Sequence, residues 1–268
     1  MEILGYLASV LIGISLGLVG SGGSILTVPV LVYLMGVHPL EATASSLFIV
    51  GLTSLVGGIR AYSKNLIDFR AITEFGIPSV FSIFIARHYI LPAIPETVFY
   101  IGSKPVSKDI LLMVVFAILM VAASVTMIRS KRDAVPEQNE TSSHPASKVI
   151  PLIFLGLLIG TLTGLLGAGG GFLIIPSLVV FLGLAMKKAV GTSLLIIAIN
   201  SLFGFLFSLK QFSYNWVLLL VFTGLAILGI FIGSRFAEKI PGKSLKRGFG
   251  WFILVMGIYI ITKEILLR

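Results

Sequence analysis

The heptapeptide Gly17-Leu18-Val19-Gly20-Ser21-Gly22-Gly23 returns 147 residues later as Gly164-Leu165-Leu166-Gly167-Ala168-Gly169-Gly170. Around these two copies, Gly17–Phe69 aligns with Gly164–Trp216 without a gap, with 17 identities in 53 positions. Pro29 matches Pro176, Gly36 matches Gly183, Ala42 matches Ala189, Ser46-Leu47 matches Ser193-Leu194 and Gly57 matches Gly204. Apolar residues coincide by chance, but ungapped glycines and prolines do not follow from hydrophobicity. The chain reads as an internal duplication.

What surrounds the repeated motif is apolar. Of 268 residues, 57% are hydrophobic and 12% charged, and the mean hydropathy is +1.08. Six stretches contain no Asp, Glu, Lys or Arg: Ile3–Val37, Ala42–Ile59, Ile110–Ile128, Val149–Met186, Ala189–Leu209 and Gln211–Ser234. A hydrocarbon core about 30 Å thick takes about 20 apolar residues per spanning helix. A soluble domain could not cover so much apolar surface. The expectation is an all-α polytopic protein of the cell membrane.

Each half divides into five apolar segments, near 3–19, 24–36, 42–62, 71–91 and 109–128, then 149–166, 171–185, 189–209, 214–235 and 248–266. The first repeat occupies 1–128 and the second 149–268. Between them, 129–148 is rich in Ser, Pro and charge and reads as a solvated linker. The second segment of each half is short, follows the glycine motif and contains a proline. A segment of that kind does not span; it dips in and returns. An odd number of crossings, or that equivalent, inverts the second copy relative to the first. The inverted arrangement puts 14 of the 20 Lys and Arg on one face and 6 on the other, which suits the positive-inside rule.

Glycine-broken short helices at matching places in two halves point to a transporter's substrate site. Glycines let successive N–H groups turn inward as an anion-binding nest, and a following helix adds the positive end of its dipole. The expected substrate-binding residues are Gly20, Gly22, Gly23 and Ser24 in the first break, and Gly167, Gly169, Gly170 and Gly171 in the second. Hydroxyls opening the third segments, Ser45 and Ser46, then Thr192 and Ser193, would add donors. Asn200, inside the charge-free run 189–209, either contacts substrate or joins two helices. Gly13, Gly17, Gly156, Gly160 and Gly164 have the spacing that lets helices pack closely. No Lys or Arg lies within the broken segments, so binding is expected to rest on backbone and hydroxyl donors. Arg87 and His88 read as interfacial, and Glu74 as a residue of the headgroup level beside Asp68 and Arg70.

Other classes are excluded by inventory. The net charge of +9 comes from Lys and Arg between apolar runs, with no basic stripe for nucleic acid. Cysteine is absent, and the three histidines are scattered. There is no HExxH, no pair of carboxylates at membrane depth and no base beside a membrane serine, so neither an enzyme nor a bound metal or cofactor is expected.

The paired G-L-x-G-x-G-G motifs, each followed by a proline and an A-x-x-T/S-S-L element, resemble the sulfite exporter TauE/SafE family of membrane permeases. The match is fullest at Gly164–Pro176 and Ala189–Leu194; the first copy departs with Ser24 for Gly171 and Ala44-Ser45 for Gly191-Thr192. The resemblance implies a permease for sulfite, a sulfonate or a related small organic anion; the sequence does not give the coupling ion, proton or sodium. An uncoupled anion channel and a non-transporting scaffold remain as alternatives.

Overall fold

The computed structural model describes residues 2–101, 104–129, 149–167, 169–237 and 242–266; the linker, apart from Arg129, lies outside the described residues. Ten helices account for most of the described chain. Helix α1 (Glu2–Val19) is followed by a 3-10 turn (Ser21–Leu26) that leads into the short α2 (Thr27–Tyr33). Helix α3 (Pro39–Ser63) starts on a proline, whose missing N–H costs nothing there. Helix α4 (Phe69–Ala93) is interrupted by π-helical turns at Ile72–Gly76 and Ala86–Ile90. Helix α5 (Lys108–Arg129) closes the first half. The second half supplies α6 (Val149–Leu166), α7 (Gly171–Leu182), α8 (Met186–Ser208), α9 (Trp216–Ala237) and α10 (Gly242–Leu266).

Among the described residues α3, α4, α8 and α9 are long and apolar enough to cross a membrane. Their exposed surface carries Ile77, Phe81, Phe203, Leu220 and Leu228, side chains that hydrocarbon rather than water accommodates. The multi-pass architecture stands. One element departs from an all-helical reading: strands β1 (Thr97–Ile101) and β2 (Lys104–Ser107) pair antiparallel between α4 and α5. The run Thr97-Val98-Phe99-Tyr100-Ile101 is β-branched and aromatic, a composition that favours strand.

Helices pack between the halves more than within them. The main pairs are α1 with α9, α3 with α8, α5 with α10 and α4 with α6. Small residues set the seams. A Cβ on Gly13 would overlap the Ala226 backbone, and one on Gly17 the backbone at Ile230 and Ser234. In the same manner Gly160 lies on the Ser79 backbone, and Gly164 on Ile83 and Ala86. Such contact between backbones is what GxxxG spacing provides where lipid supplies no hydrophobic drive. Rising residue numbers meet rising numbers in both seams, so α1 runs parallel to α9 and α4 parallel to α6. The central pair differs: Gly51 touches Leu202 and Gly58 touches Leu195, so α3 and α8 run antiparallel. Two apolar clusters flank this pair, one holding Ile12, Leu31, Phe116 and Phe222, the other Phe75, Ile159, Leu178 and Ile197.

Candidate functional site

The second glycine motif breaks the chain as its composition demands. After α6 ends at Leu166, Gly167, Gly169 and Gly170 take φ of 69°, 68° and 67°, and α7 begins at Gly171. Side-chain-bearing residues rarely adopt this left-handed backbone. Space forbids a side chain as well. A Cβ on Gly167 would overlap the backbone of Thr43 in the first turns of α3, and one on Gly170 would overlap Thr163. A Cβ on Gly169 would press Val50, Ile197 and the Ser201 hydroxyl, the last at 3.3 Å. The bend therefore runs from the start of α3 toward the middle of the α3–α8 pair. It opens α7, a helix of 12 residues, whose Leu173 and Ile174 amides return to the Gly170 carbonyl at 3.0 and 3.2 Å.

The first motif folds differently. Gly20 is left-handed (φ 76°), but Gly22, Gly23 and Ser24 lie inside the 3-10 turn, and α2 is only seven residues long. Gly23 is pressed on the α1 backbone at Ile12 and Leu16, and Ser24 is fully buried. With serines at 21 and 24, this copy has fewer residues free to turn left-handed, so it tightens into a helix instead. The two breaks are therefore not alike: the extended left-handed bend belongs to the second copy. Nor do the outer ends of the breaks meet. Gly20 packs on Val190 at the start of α8, Gly167 on Thr43 at the start of α3, and those starts lie at opposite ends of an antiparallel pair.

The polar residues separate into satisfied and unsatisfied groups. Thr192 Oγ1 accepts the Asp68 N–H at 2.9 Å, Ser193 donates back to the Val190 carbonyl at 2.8 Å, and Asn200 Oδ1 accepts from Ser79 at 2.8 Å. Asn200 thus joins α8 to α4, while its Nδ2 is buried without a partner. Ser45 is buried at the start of α3, and the Ser46 hydroxyl has no partner. Ser54 and Ser201, which sequence reasoning passed over, also bury unpartnered hydroxyls in the middle of α3 and α8. Their signal was present: they are an identity in the 147-residue register.

The larger correction is Arg87. It is no interfacial residue but fully buried, the bulkiest such side chain among the described residues. Nη2 donates to Thr43 Oγ1 at 3.2 Å, while Nε and Nη1 have no partner. The α8–α9 loop of the other half meets its backbone: Gln211 Nε2 donates to the Arg87 carbonyl at 3.2 Å, while Tyr214 donates to the Ser208 carbonyl at 2.9 Å. Burial pushes the Tyr214 phenol up to about 12, opposed by the charge of Arg87. Glu74 accepts from Arg70 Nε at 2.6 Å, and its other carboxylate oxygen is buried without a partner. A groove of about 480 Å³ lined by Gly76, Phe81, Phe84 and Phe203 is apolar.

This arrangement, a glycine-broken hairpin set against unpartnered hydroxyls and a buried cation, suits capture of a small anion. Residues 5–260 match the family model described as sulfite exporter TauE/SafE. The chain belongs to that family. Like other TauE/SafE proteins it is a membrane transporter and not an enzyme. It is 28% identical over 258 residues to a probable membrane transporter protein of Xylella fastidiosa, covering 95% of this chain and 92% of the relative. A probable membrane transporter protein of Haemophilus influenzae is 27% identical, covering 97% and 98%. The probable membrane transporter protein YjnA of Bacillus subtilis is 30% identical, covering 97% and 100%. No solved structure matches this TauE/SafE chain.

Proposed function

We propose that this TauE/SafE protein is a secondary permease for a small anion of the sulfite or sulfonate type, built from two inverted copies of one unit. The observation that carries the substrate reading is the bend at Gly167–Gly171. It combines three left-handed glycines and the N-terminus of α7 with the buried, unpartnered Ser201 hydroxyl. Donors fixed in that way recognise an oxyanion at little reorganisation cost. The copies contribute unequally, and the second break is the binding side.

Contacts support the inverted repeat. Gly57 touches Leu194 and Ile230, and Gly204 touches Leu47 and Ile83. Adding 147 to 57, 47 and 83 gives 204, 194 and 230, so one contact set is the other with the halves exchanged. Direction follows from the seams. Helices α3 and α8 occupy equivalent places and run antiparallel. Helix α9 matches α4 in the repeat and lies parallel to α1, while α4 itself lies parallel to α6. With α3 and α4 antiparallel across a short loop, α1 and α6 must point oppositely.

Proteoliposome uptake of radiolabelled sulfite and sulfoacetate tests the function. Saturable uptake that rises with an imposed proton or sodium gradient is expected. Saturable flux indifferent to every gradient would favour a facilitator. No flux of either anion would sink the reading.

A further inference from the structure

We propose that Arg87 is the receiving charge of the anion path, a guanidinium whose counter-ion is the substrate itself. The proposal rests on the anion reading above and adds to it a fixed cation that no broken segment contains. Arg87 is fully buried in the last π-helical turn of α4. One of its donors goes to Thr43, and two of its three nitrogens have no partner. Among the described residues no carboxylate lies within ion-pair distance of it. A buried charge without a counter-ion is one of the costliest arrangements a fold can hold, and a merely structural arginine would be paired. Here it is the partners that are missing.

Its place fits the path. Thr43, which takes the one hydrogen bond, is the residue whose backbone lies against Gly167. The guanidinium therefore stands at the outer end of the same bend whose inner end, Gly169, reaches Val50, Ile197 and Ser201. An oxyanion arriving at Arg87 would find next the N–H groups of the bend and then the hydroxyls of the central pair. A planar guanidinium offers two parallel donors to a group with two oxygens on one centre, such as sulfite, a sulfonate or a carboxylate. The α8–α9 loop packs beside the arginine: Gln211 donates to its backbone carbonyl, and Tyr214 lies near enough to feel its charge.

The test reads binding apart from transport. Thermal unfolding of the purified protein is followed with sodium sulfite or sodium sulfoacetate against equal sodium chloride, and uptake is measured in phosphatidylcholine vesicles. Vesicles free of anionic lipid remove a lipid headgroup as the counter-ion. The wild type should be stabilised by at least one of the two anions. Arg87→Gln should lose that stabilisation and at least tenfold in uptake. Arg87→Lys, keeping charge without the fork, should transport with a KM raised about tenfold, and exposed Arg235→Gln should match the wild type. If Arg87→Gln does not assemble, Arg87→Lys decides, and an unchanged KM overturns the proposal. Equal anion stabilisation of wild type and Arg87→Gln overturns it too, as does a wild type that neither anion stabilises. Gradient-driven uptake by the wild type would keep the permease reading in either of those cases, and its absence would remove that reading on separate grounds.

Discussion

At the level of single side chains, position in the hydrogen-bond network separates residues that sequence alone grouped together. Thr192 and Ser193 open α8 side by side and both looked like substrate donors. Thr192 Oγ1 is committed to the Asp68 amide and so ties the α3–α4 loop to α8, whereas Ser193 only returns its proton to the preceding turn. Thr192→Val leaves a buried N–H without an acceptor and should cost about 1–3 kcal/mol of stability. Ser193→Ala loses a bond that competes with the helix's own and should cost much less. Thermal unfolding of both variants in one detergent checks the order; equal losses would show that the Asp68 contact is not what Thr192 supplies. Anion affinity should fall in neither variant, which departs from the expectation that composition raised for this helix start. Arg87 was misread for the opposite reason. Its neighbours His88 and Tyr89 have the composition of an interface, and the groups that meet it, Thr43 and the 211–214 loop, lie 44 and more than 120 residues away in the chain.

Among helices, what was legible in the sequence was whatever local chemistry dictates. The segments read at 3–19, 149–166 and 214–235 appear as Glu2–Val19, Val149–Leu166 and Trp216–Ala237, because apolar runs and glycine or proline breaks act within a few residues. Close-packing glycines were legible too, since GxxxG spacing places them on one helix face. Their partners were not, because a glycine marks a close approach without saying to what. The structure supplies the partner: α1 lies on α9, with Gly13 on Ala226 and Gly229 on Val10 and Ile14. Gly229→Leu should therefore prevent assembly, because the collision is with backbone that cannot rotate away. Gly224→Leu on the same helix meets open space at an exposed position and should assemble normally. Size-exclusion profiles of the two variants give the comparison. A monodisperse Gly229→Leu protein of wild-type stability would mean that α1 and α9 do not meet as described. Local patterns could not foresee the difference between the two breaks either. Both motifs are glycine-rich, and the choice between a left-handed bend and a 3-10 turn depends on Ser24 against Gly171 and on what each turn is pressed against.

For the molecule as a whole, the open issue is which end of the bundle faces which side of the membrane. Ser63 lies just inside the end of α3 and Ser213 in the loop after α8; both are exposed. Because α3 and α8 are antiparallel, these ends lie at opposite ends of the central pair. Parallel repeats would instead place both loops on one side, since each follows the third segment of its half. Charge then chooses the side. Arg60, Lys64 and Arg70 flank Ser63, whereas Lys210 alone lies near Ser213. Positive residues are retained on the cytoplasmic face, so the end of α3 is expected inside and the end of α8 outside. The chain contains no cysteine, and a single introduced thiol can therefore be followed without background. A membrane-impermeant maleimide applied to intact cells should label Ser213→Cys and spare Ser63→Cys until the membrane is opened. Labelling of both variants on intact cells, or of neither, would mean that the copies are parallel. Labelling of Ser63→Cys alone would keep the inverted repeat but reverse its orientation. The Arg87 end of the path would then receive anions from the cytoplasm and not deliver them outward or accept them from outside.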